Sequence, residues 1–208
     1  MAYSSLHDRL RRDIAKKLLQ ERKIQNLHAL PKVKHVIVST GINAGKSQGK
    51  DMQEYIVEAL AKITGQRPVF TKSRKAIANF KIRKGTTVGA MVTLRGKRME
   101  AFLDRLVSYT LPRIRDFRGL HPRFDGHGNY SLGINDHSVF PEIPPPDVGK
   151  IFGLQVQVTT TARRDEDARA LLEAIGFPFR KERETPQRKS TPAVVSPSKD
   201  SDTLLSRS

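Results

Sequence analysis

The feature that most constrains the fold is a short segment, 152–159, in which apolar and polar residues alternate strictly. Phe, Leu, Val and Val alternate there with Gly, Gln, Gln and Thr. Successive side chains of a strand point to opposite faces, so this pattern predicts a sheet with one apolar face and one uncharged polar face. Helices are then expected on the apolar face. The open polar face is either an ordinary solvated surface or a platform for a partner such as RNA.

Helical and strand patterns interleave along the rest of the chain. Hairpin-linked strands with helices between them indicate an α+β domain, an antiparallel sheet with helices packed on one face. The helical spacing predicts helices over 5–23, 51–64 and 96–109, and one that begins at Asp165. The strand patterns predict strands over 33–40, 68–71, 88–94 and 130–134, besides the segment at 152–159.

The composition changes near Arg180. Residues 181–208 are almost entirely Lys, Arg, Ser, Thr, Pro and acidic residues, a mixture that cannot bury a core. No internal repeat or low-complexity linker interrupts the chain before this point. We therefore expect one domain over 1–180 and a disordered basic tail over 181–208.

The net charge points to a polyanionic partner. The chain carries 38 Lys and Arg against 21 Asp and Glu, a formal charge of +17. The absence of Cys excludes a disulfide scaffold, an iron-sulfur cluster and a thiol nucleophile. No apolar run approaches the roughly 18 residues that a membrane span needs, and no export signal is expected. Nucleic acid is therefore favoured over a membrane surface.

One motif suggests an enzyme. Residues 41–47, Gly-Ile-Asn-Ala-Gly-Lys-Ser, follow a predicted strand and precede a predicted helix, as a phosphate-binding loop does. Such a loop needs four residues between its glycines so that successive amides wrap the phosphates, and this segment has three. We therefore expect no nucleotide site. A nucleotide-dependent assembly factor is kept as the alternative function from another class.

Three histidines, His121, His127 and His137, lie near acidic residues in the stretch that follows Pro112. None of them has the compact spacing of metal ligands, and no Gly-x-Ser-x-Gly turn presents a serine nucleophile. We expect these histidines to form hydrogen bonds or to face phosphate. The chain is accordingly expected to hold no metal or cofactor and to have no catalytic residue.

Two basic clusters are candidate binding elements. The segment 72–84 has no acidic residue, so it favours phosphate contact over a merely solvated face. We expect a long loop or extended hairpin there. In 112–119 three arginines surround Asp116, and an internal ion-pair network is compatible with a binding role. The first cluster comprises Lys72, Arg74, Lys75, Lys81, Arg83 and Lys84. The second comprises Arg113, Arg115, Asp116 and Arg118.

Several longer strings occur in a set order between the first predicted helix and Arg180. Examples are Thr-Gly-Gln-Arg-Pro-Val at 64–69, Phe-Lys-Ile-Arg at 80–83 and Phe-Asp-Gly-His-Gly-Asn-Tyr-Ser at 124–131. Further strings occur at 72–75, 92–96, 112–119, 140–143 and 159–162. Together, in this order and spacing, the strings make a chance similarity to another family unlikely. In these strings the chain resembles bacterial large-subunit ribosomal protein five, the family that binds 5S ribosomal RNA.

The resemblance implies a structural constituent of the cytoplasmic large ribosomal subunit, located in the central protuberance beside large-subunit rRNA and other proteins. The sheet side would bind 5S rRNA, and the cations of 72–84 would reach peptidyl-site tRNA. The second basic cluster and the loop around 135–146 would bridge to the small-subunit head protein. The implied 5S rRNA contacts are Ser39, Thr40, Gln66, Thr93 and Arg95.

The chain departs from the family pattern at several positions. Ser39 stands where the family usually has Asn, and Asn43 stands where a second glycine is usual. Serine keeps a donor and an acceptor but has a shorter reach than asparagine. Three prolines at 144–146 replace a more acidic stretch, and the family usually ends near Arg180, so the tail is an addition.

Overall fold

A computed structural model describes residues 26–42, 50–80, 82–144 and 151–180. Five predicted features therefore lie wholly or partly outside the described residues. These are the helix over 5–23, the 41–47 loop apart from its first two residues, Lys81, the last two residues of the loop around 135–146 and the tail over 181–208.

The five strands form a single antiparallel sheet, as predicted. The spatial order is β2-β3-β1-β5-β4, with β1 at the centre. Ile37 of β1 lies opposite Thr93 of β3 on one side and opposite Gln157 of β5 on the other. The strands are β1 (Val33–Gly41), β2 (Val69–Lys72), β3 (Thr87–Leu94), β4 (Tyr130–Ile134) and β5 (Leu154–Thr160).

Three α-helices lie among the described residues and bury their apolar side chains with one face of the sheet, which confirms the predicted architecture. They are α1 (Lys50–Thr64), α2 (Gly96–Arg105) and α3 (Asp165–Ile175). Leu60, Phe102 and Leu172 are fully buried in the same core as Val38 and Val156. Each such side chain contributes about 1.5–3 kcal/mol when removed from water. None of the described helices has the length and apolar character required to cross a bilayer.

The third predicted helix, 96–109, is not α-helical to its end. It leaves the α geometry after Arg105 and continues as a π-helical turn, Leu106–Thr110. The Leu111 N–H donates to the Leu106 carbonyl, a wider turn than the α-helix makes. Pro112 has no N–H to continue the α ladder, which explains the departure. The wider turn keeps both Leu106 and Leu111 buried.

The end of the described chain is tied into the fold. Leu120 and Phe179 form a parallel bridge, in which the Leu120 N–H donates to the Pro178 carbonyl over 2.8 Å. The Arg180 N–H donates back to the Leu120 carbonyl over 2.8 Å. A side chain at Gly119 would meet the Arg180 backbone at 3.1 Å, and its φ of +93° also favours glycine.

Candidate nucleic-acid interface

The face of the sheet away from the helices, which we call the outer face, consists of uncharged residues in ordered rows. Paired residues of antiparallel strands present their side chains on the same face, so the register defines these rows. This face is less polar than the pattern of β5 alone predicts, because β1 and β3 contribute Ile37 and Met91. One row is Thr93, Ile37, Gln157 and Ser131. The next is Val69, Met91, Ser39, Gln155 and Gly133.

Two of the residues predicted to contact 5S rRNA share the outer face. Ser39 lies opposite Met91, and Thr93 lies opposite Ile37, so the two side chains are diagonal neighbours. Both are partly exposed. Arg95 follows directly as the exposed N-cap residue of α2. The structure therefore brings a serine, a threonine and an arginine to one region of the surface.

Gln66 lies at the edge of this region. It is half-buried in the loop between α1 and β2, and its backbone carbonyl accepts a hydrogen bond from Thr64 Oγ1 over 3.0 Å. The same hydroxyl donates to the Leu60 carbonyl over 2.6 Å, so it ties the loop to the end of α1. The edge strand that follows pairs with β3, which places the Gln66 loop beside the strand that carries Thr93.

Thr40 is the exception among the predicted contacts. Adjacent residues of a strand face opposite sides, so Ser39 and Thr40 cannot both lie on the outer face. Thr40 is buried on the helix side, and its Oγ1 donates to the Gly153 carbonyl over 2.7 Å. The structure therefore gives Thr40 a role in joining β1 to the residue before β5. Its side chain does not join the outer-face group.

A histidine that the motif search passed over also lies on the outer face. His35 shares the strand parity of Ser39, and its Nδ1 is buried with no hydrogen-bond partner among the described residues. Burial lowers the pKa of His35, and the nearby charges of Arg95 and Lys34 lower it further. The alternation within β1 was the signal that could have identified it. The neutral ring leaves an uncompensated polar atom beside the predicted contacts.

A shallow cleft of about 280 Å³ opens at the end of β1. Polar residues that line it include Ser39, Asn135 and Gln155, and three glycines also contribute to the lining. Glycines leave backbone groups accessible, so a partner can approach them closely. The glycines are Gly41, Gly133 and Gly153.

The segment from β2 to β3, 69–94, is here called the basic hairpin. Reciprocal hydrogen bonds between Ile77 and Ile82, at 2.9 and 3.1 Å, close its tip. Ser73 pairs with Thr86 and Gly85 nearer the strands. Of the two predicted forms, a long loop or an extended hairpin, the structure shows the extended hairpin. Its cations within the described residues are all exposed, and none forms an ion pair with another described residue: Lys72, Arg74, Lys75, Arg83 and Lys84.

For the second basic cluster, an internal ion-pair network was one of two compatible interpretations. Among the described residues, Asp116 forms no salt bridge with the arginines around it. Its φ of +52° is left-handed, a conformation that aspartate tolerates better than most residues. Arg113, Arg115 and Arg118 are exposed. The cluster is therefore held by its backbone and by the packing of the intervening apolar residues, not by Asp116.

The two parts expected to form the subunit bridge are related electrostatically. Desolvation would raise the pKa of Asp136, but hydrogen bonds from Ser138 and the charge of Arg115 lower it. Arg105 fixes the following loop, because its guanidinium contacts Glu142 at 2.6 Å and donates to the Ile63 carbonyl over 3.1 Å. The charge of Arg115 that acts on Asp136 is the observation that relates the second basic cluster to the loop around 135–146.

His137 is a core residue. It is fully buried, its Nε2 lies 2.9 Å from the Tyr55 hydroxyl, and its ring stacks on Phe152 at 4.0 Å. Burial lowers the pKa of His137, so the ring is neutral at pH 7. This confirms the hydrogen-bonding role expected for a loop histidine. Across the described residues, no group of three or more His, Cys, Asp or Glu side chains could hold a metal.

Two carboxylates shape the loop at 124–130. Asp125 accepts hydrogen bonds from the backbone of His127 and Asn129, and Asp165 accepts from the N–H groups of Gly126 and Gly128. A side chain at Gly128 would meet the Ala162 carbonyl at 2.7 Å. This loop was recognised from the sequence only as a string, because its partner Asp165 lies far along the chain.

Comparison with known proteins gives concordant matches. A family model described as "Ribosomal protein L5" matches 26–83, and a second model, for the C-terminal part of the same ribosomal protein family, matches 87–179.

Three relatives are each called large ribosomal subunit protein uL5. That of Thermotoga maritima is 46% identical over 180 residues, covering 86% of this chain and 97% of the relative. That of Acaryochloris marina is 52% identical over 165 residues, with 79% and 91% covered. That of Fervidobacterium nodosum is 46% identical over 185 residues, with 88% and 100% covered.

Proposed function

The chain belongs to the ribosomal protein L5 family, and from this premise we propose that it is a structural, non-catalytic constituent of the large ribosomal subunit in the cytoplasm. It binds 5S rRNA in the central protuberance, beside large-subunit rRNA and other proteins of that region. It also contacts peptidyl-site tRNA and bridges to the small-subunit head protein. The RNA-binding domain spans 1–180, and the tail at 181–208 is a disordered addition.

The outer face supports the 5S rRNA contact. Ser39, Thr93 and Gln66 offer neutral donors and acceptors, which suit 2′-hydroxyls and base edges. Arg95 adds a fixed charge at the border of the same face. The single observation that carries the proposal is the open, uncharged sheet face with Ser39 and Thr93 as diagonal neighbours. Thr40 supports it only indirectly, by holding the end of β1 in place.

The basic hairpin supports the tRNA contact. It contains no acidic residue between Val69 and Leu94, and its described cations are free of ion pairs with described residues. Contacts to phosphate carry no sequence information, which suits a surface that must accept every elongator tRNA. The second basic cluster supports the bridge in the same way, since Arg113, Arg115 and Arg118 are exposed cations available to a partner.

A binding titration tests the 5S rRNA contact. The purified chain is titrated with 5S rRNA and with an unrelated structured RNA of equal length, at two salt concentrations. We expect a preference for 5S rRNA that persists as the salt rises, because hydrogen bonds to a fixed surface are less sensitive to salt than phosphate contacts are. Equal affinities that fall together would show that only the net charge is being measured, and the proposal would be wrong.

A second experiment tests the division of surfaces. Alanine replaces Lys72, Arg74, Lys75, Lys81, Arg83 and Lys84 together. We expect 5S rRNA binding to persist while tRNA retention on assembled ribosomes weakens. A control variant replaces Lys62 and Arg169, which lie in i,i+4 pairs on α1 and α3 and should affect neither. Equal loss of both activities in the hairpin variant would contradict the division.

A further inference from the structure

The basic hairpin exposes apolar side chains as well as charges. Six large hydrophobic side chains are exposed among the described residues, and four of them, Val69, Phe70, Ile77 and Phe80, lie in this hairpin. Phe80 is the most exposed of the phenylalanines, at 68%. Leaving an aromatic ring in water forgoes its burial energy, so a ring in this position has a physical use only when a partner covers it.

The tip does not need the Phe80 ring for its own structure. The reciprocal Ile77 and Ile82 hydrogen bonds close the turn, and Ala78–Phe80 forms a single 3-10 turn between them. The described residues place no other aromatic ring against Phe80. The backbone therefore holds Phe80 in position, and its ring remains available.

The surrounding charges select the kind of partner. Arg74, Lys75, Arg83 and Lys84 are exposed on either side of the tip, and the hairpin has no acidic residue. A polyanion with flat apolar faces satisfies both features, because phosphates meet the cations and a base can stack on the ring. An acidic peptide would neutralise the charges but would offer Phe80 no flat face of comparable size.

We propose that Phe80, flanked by Ile77, stacks against an exposed base of the RNA that the basic hairpin contacts. This inference rests on the proposed RNA contact of the hairpin and specifies its chemistry. The cations supply attraction that depends on salt, and the ring supplies a stacking contact that releases no counterions. The hairpin therefore distinguishes RNA with an exposed base from a regular duplex, in which the bases are already stacked on one another.

Affinity measurements test the stacking contact. Full-length protein carrying Phe80→Ala is titrated with elongator tRNA and with a fully paired RNA duplex over a range of salt concentrations. We expect tRNA affinity to fall roughly tenfold with no change in the salt slope, and duplex affinity to stay the same. The matched control is Tyr109→Ala, which removes an aromatic ring of 54% exposure outside the hairpin and should alter neither affinity.

A fluorescence measurement gives an independent test. The chain contains no Trp, so Phe80→Trp introduces a single reporter at the tip. We expect its emission to be quenched when tRNA is added and to stay unquenched with the duplex, because quenching requires contact with a base. An unquenched tryptophan together with full tRNA affinity in Phe80→Ala would overturn the inference.

One further pair of variants separates this inference from the proposed function beneath it. Lys75→Ala and Arg83→Ala remove exposed cations from the two sides of the hairpin. If they lower the salt slope while the Phe80 variants have no effect, the stacking contact is wrong and the hairpin still binds RNA. If neither cation changes the affinity or the slope, the hairpin is not an RNA contact and the proposed tRNA function fails with it.

Discussion

The outer face and the basic hairpin present two different kinds of surface on one sheet. On the outer face, half-buried neutral side chains stand in rows fixed by the register of the strands. In the basic hairpin, exposed cations surround a tip closed by a pair of backbone hydrogen bonds. The first surface can discriminate by hydrogen-bond geometry, whereas the second attracts any phosphate backbone. If the proposed function is correct, one domain combines a selective RNA contact with a general one.

The largest difference we expect between the two regions is in stability. Phe102 on α2 is 1% exposed and packs in the core beneath the sheet, whereas Phe80 is exposed at the hairpin tip. Phe102→Ala should lower the free energy of unfolding by about 3–5 kcal/mol. Phe80→Ala should change it by less than about 0.5 kcal/mol. Urea denaturation of both variants measures this, and a comparable loss in Phe80→Ala would mean that the tip is part of the core.

The next effect concerns the salt dependence of RNA binding. Replacing Lys72, Lys75 and Lys84 by Ala should lower the salt slope for tRNA by about 2–3, because each phosphate contact contributes roughly 0.7–0.9. The free energy of unfolding should be unchanged, since the three side chains are exposed. Titrations at four or more salt concentrations give the slope. An unchanged slope would show that these three lysines do not contact phosphates, and the electrostatic role proposed for the basic hairpin would be wrong.

A pH titration should affect the core and not the hairpin. The folded pKa of His137 is lowered by burial, so the folded state favours the neutral ring. Protons then bind preferentially to the unfolded chain, and stability should fall as the pH drops below the ordinary histidine pKa of about 6.5. His137→Phe should flatten this dependence, as measured by thermal unfolding between pH 7.5 and 5.5.

His35→Asn is the companion variant and should also flatten the dependence, since the pKa of His35 is likewise lowered. The hairpin offers the control, because 69–94 contains no His, Asp or Glu. Its charge is therefore the same at both ends of this pH range, and its part of the salt slope should not change. A pH dependence that is equal in the wild type and both histidine variants would contradict the assignment.

The smallest effect should come from a single hydroxyl on the outer face. Thr93→Val keeps the shape and the strand preference but removes one donor and acceptor. We expect the preference for 5S rRNA over an unrelated RNA to fall by about 0.5–1.5 kcal/mol with an unchanged salt slope. Thr40→Val serves as the comparison, because its hydroxyl is buried and should affect stability first. A reduced salt slope in Thr93→Val would show that the outer face also binds through phosphate contacts, which would contradict the distinction between the two surfaces.

Local patterns predicted most of the elements. The period of two in β5 and the apolar spacing in α1 and α3 depend only on neighbouring residues, so these elements needed no knowledge of the fold. The end of α2 was missed because the π turn is set by the competing demands of Pro112 and of burying Leu111. The apolar periodicity of the sequence alone does not predict how these two requirements change the end of the helix.

The sequence identified the residues of the candidate site, but it did not predict how they are arranged in space. The cations of the basic hairpin are visible as a run, yet the Ile77 and Ile82 pairing that orders them depends on a turn with no strong sequence signal. Thr40 was carried over by resemblance, although strand alternation already separates it from Ser39. The Asp165 contact with the 124–130 loop joins residues far apart in sequence, which no local pattern contains.

The position of β2 at the edge of the sheet has a consequence for the protein before it meets RNA. An edge strand that presents Val69 and Phe70 to solvent is a template on which a second chain could add a strand and begin to aggregate. Lys72 and the cations that follow it place like charges where such a neighbour would have to pair. The exposed cations that the proposed function assigns to phosphate contact therefore also oppose pairing of a second chain along this edge.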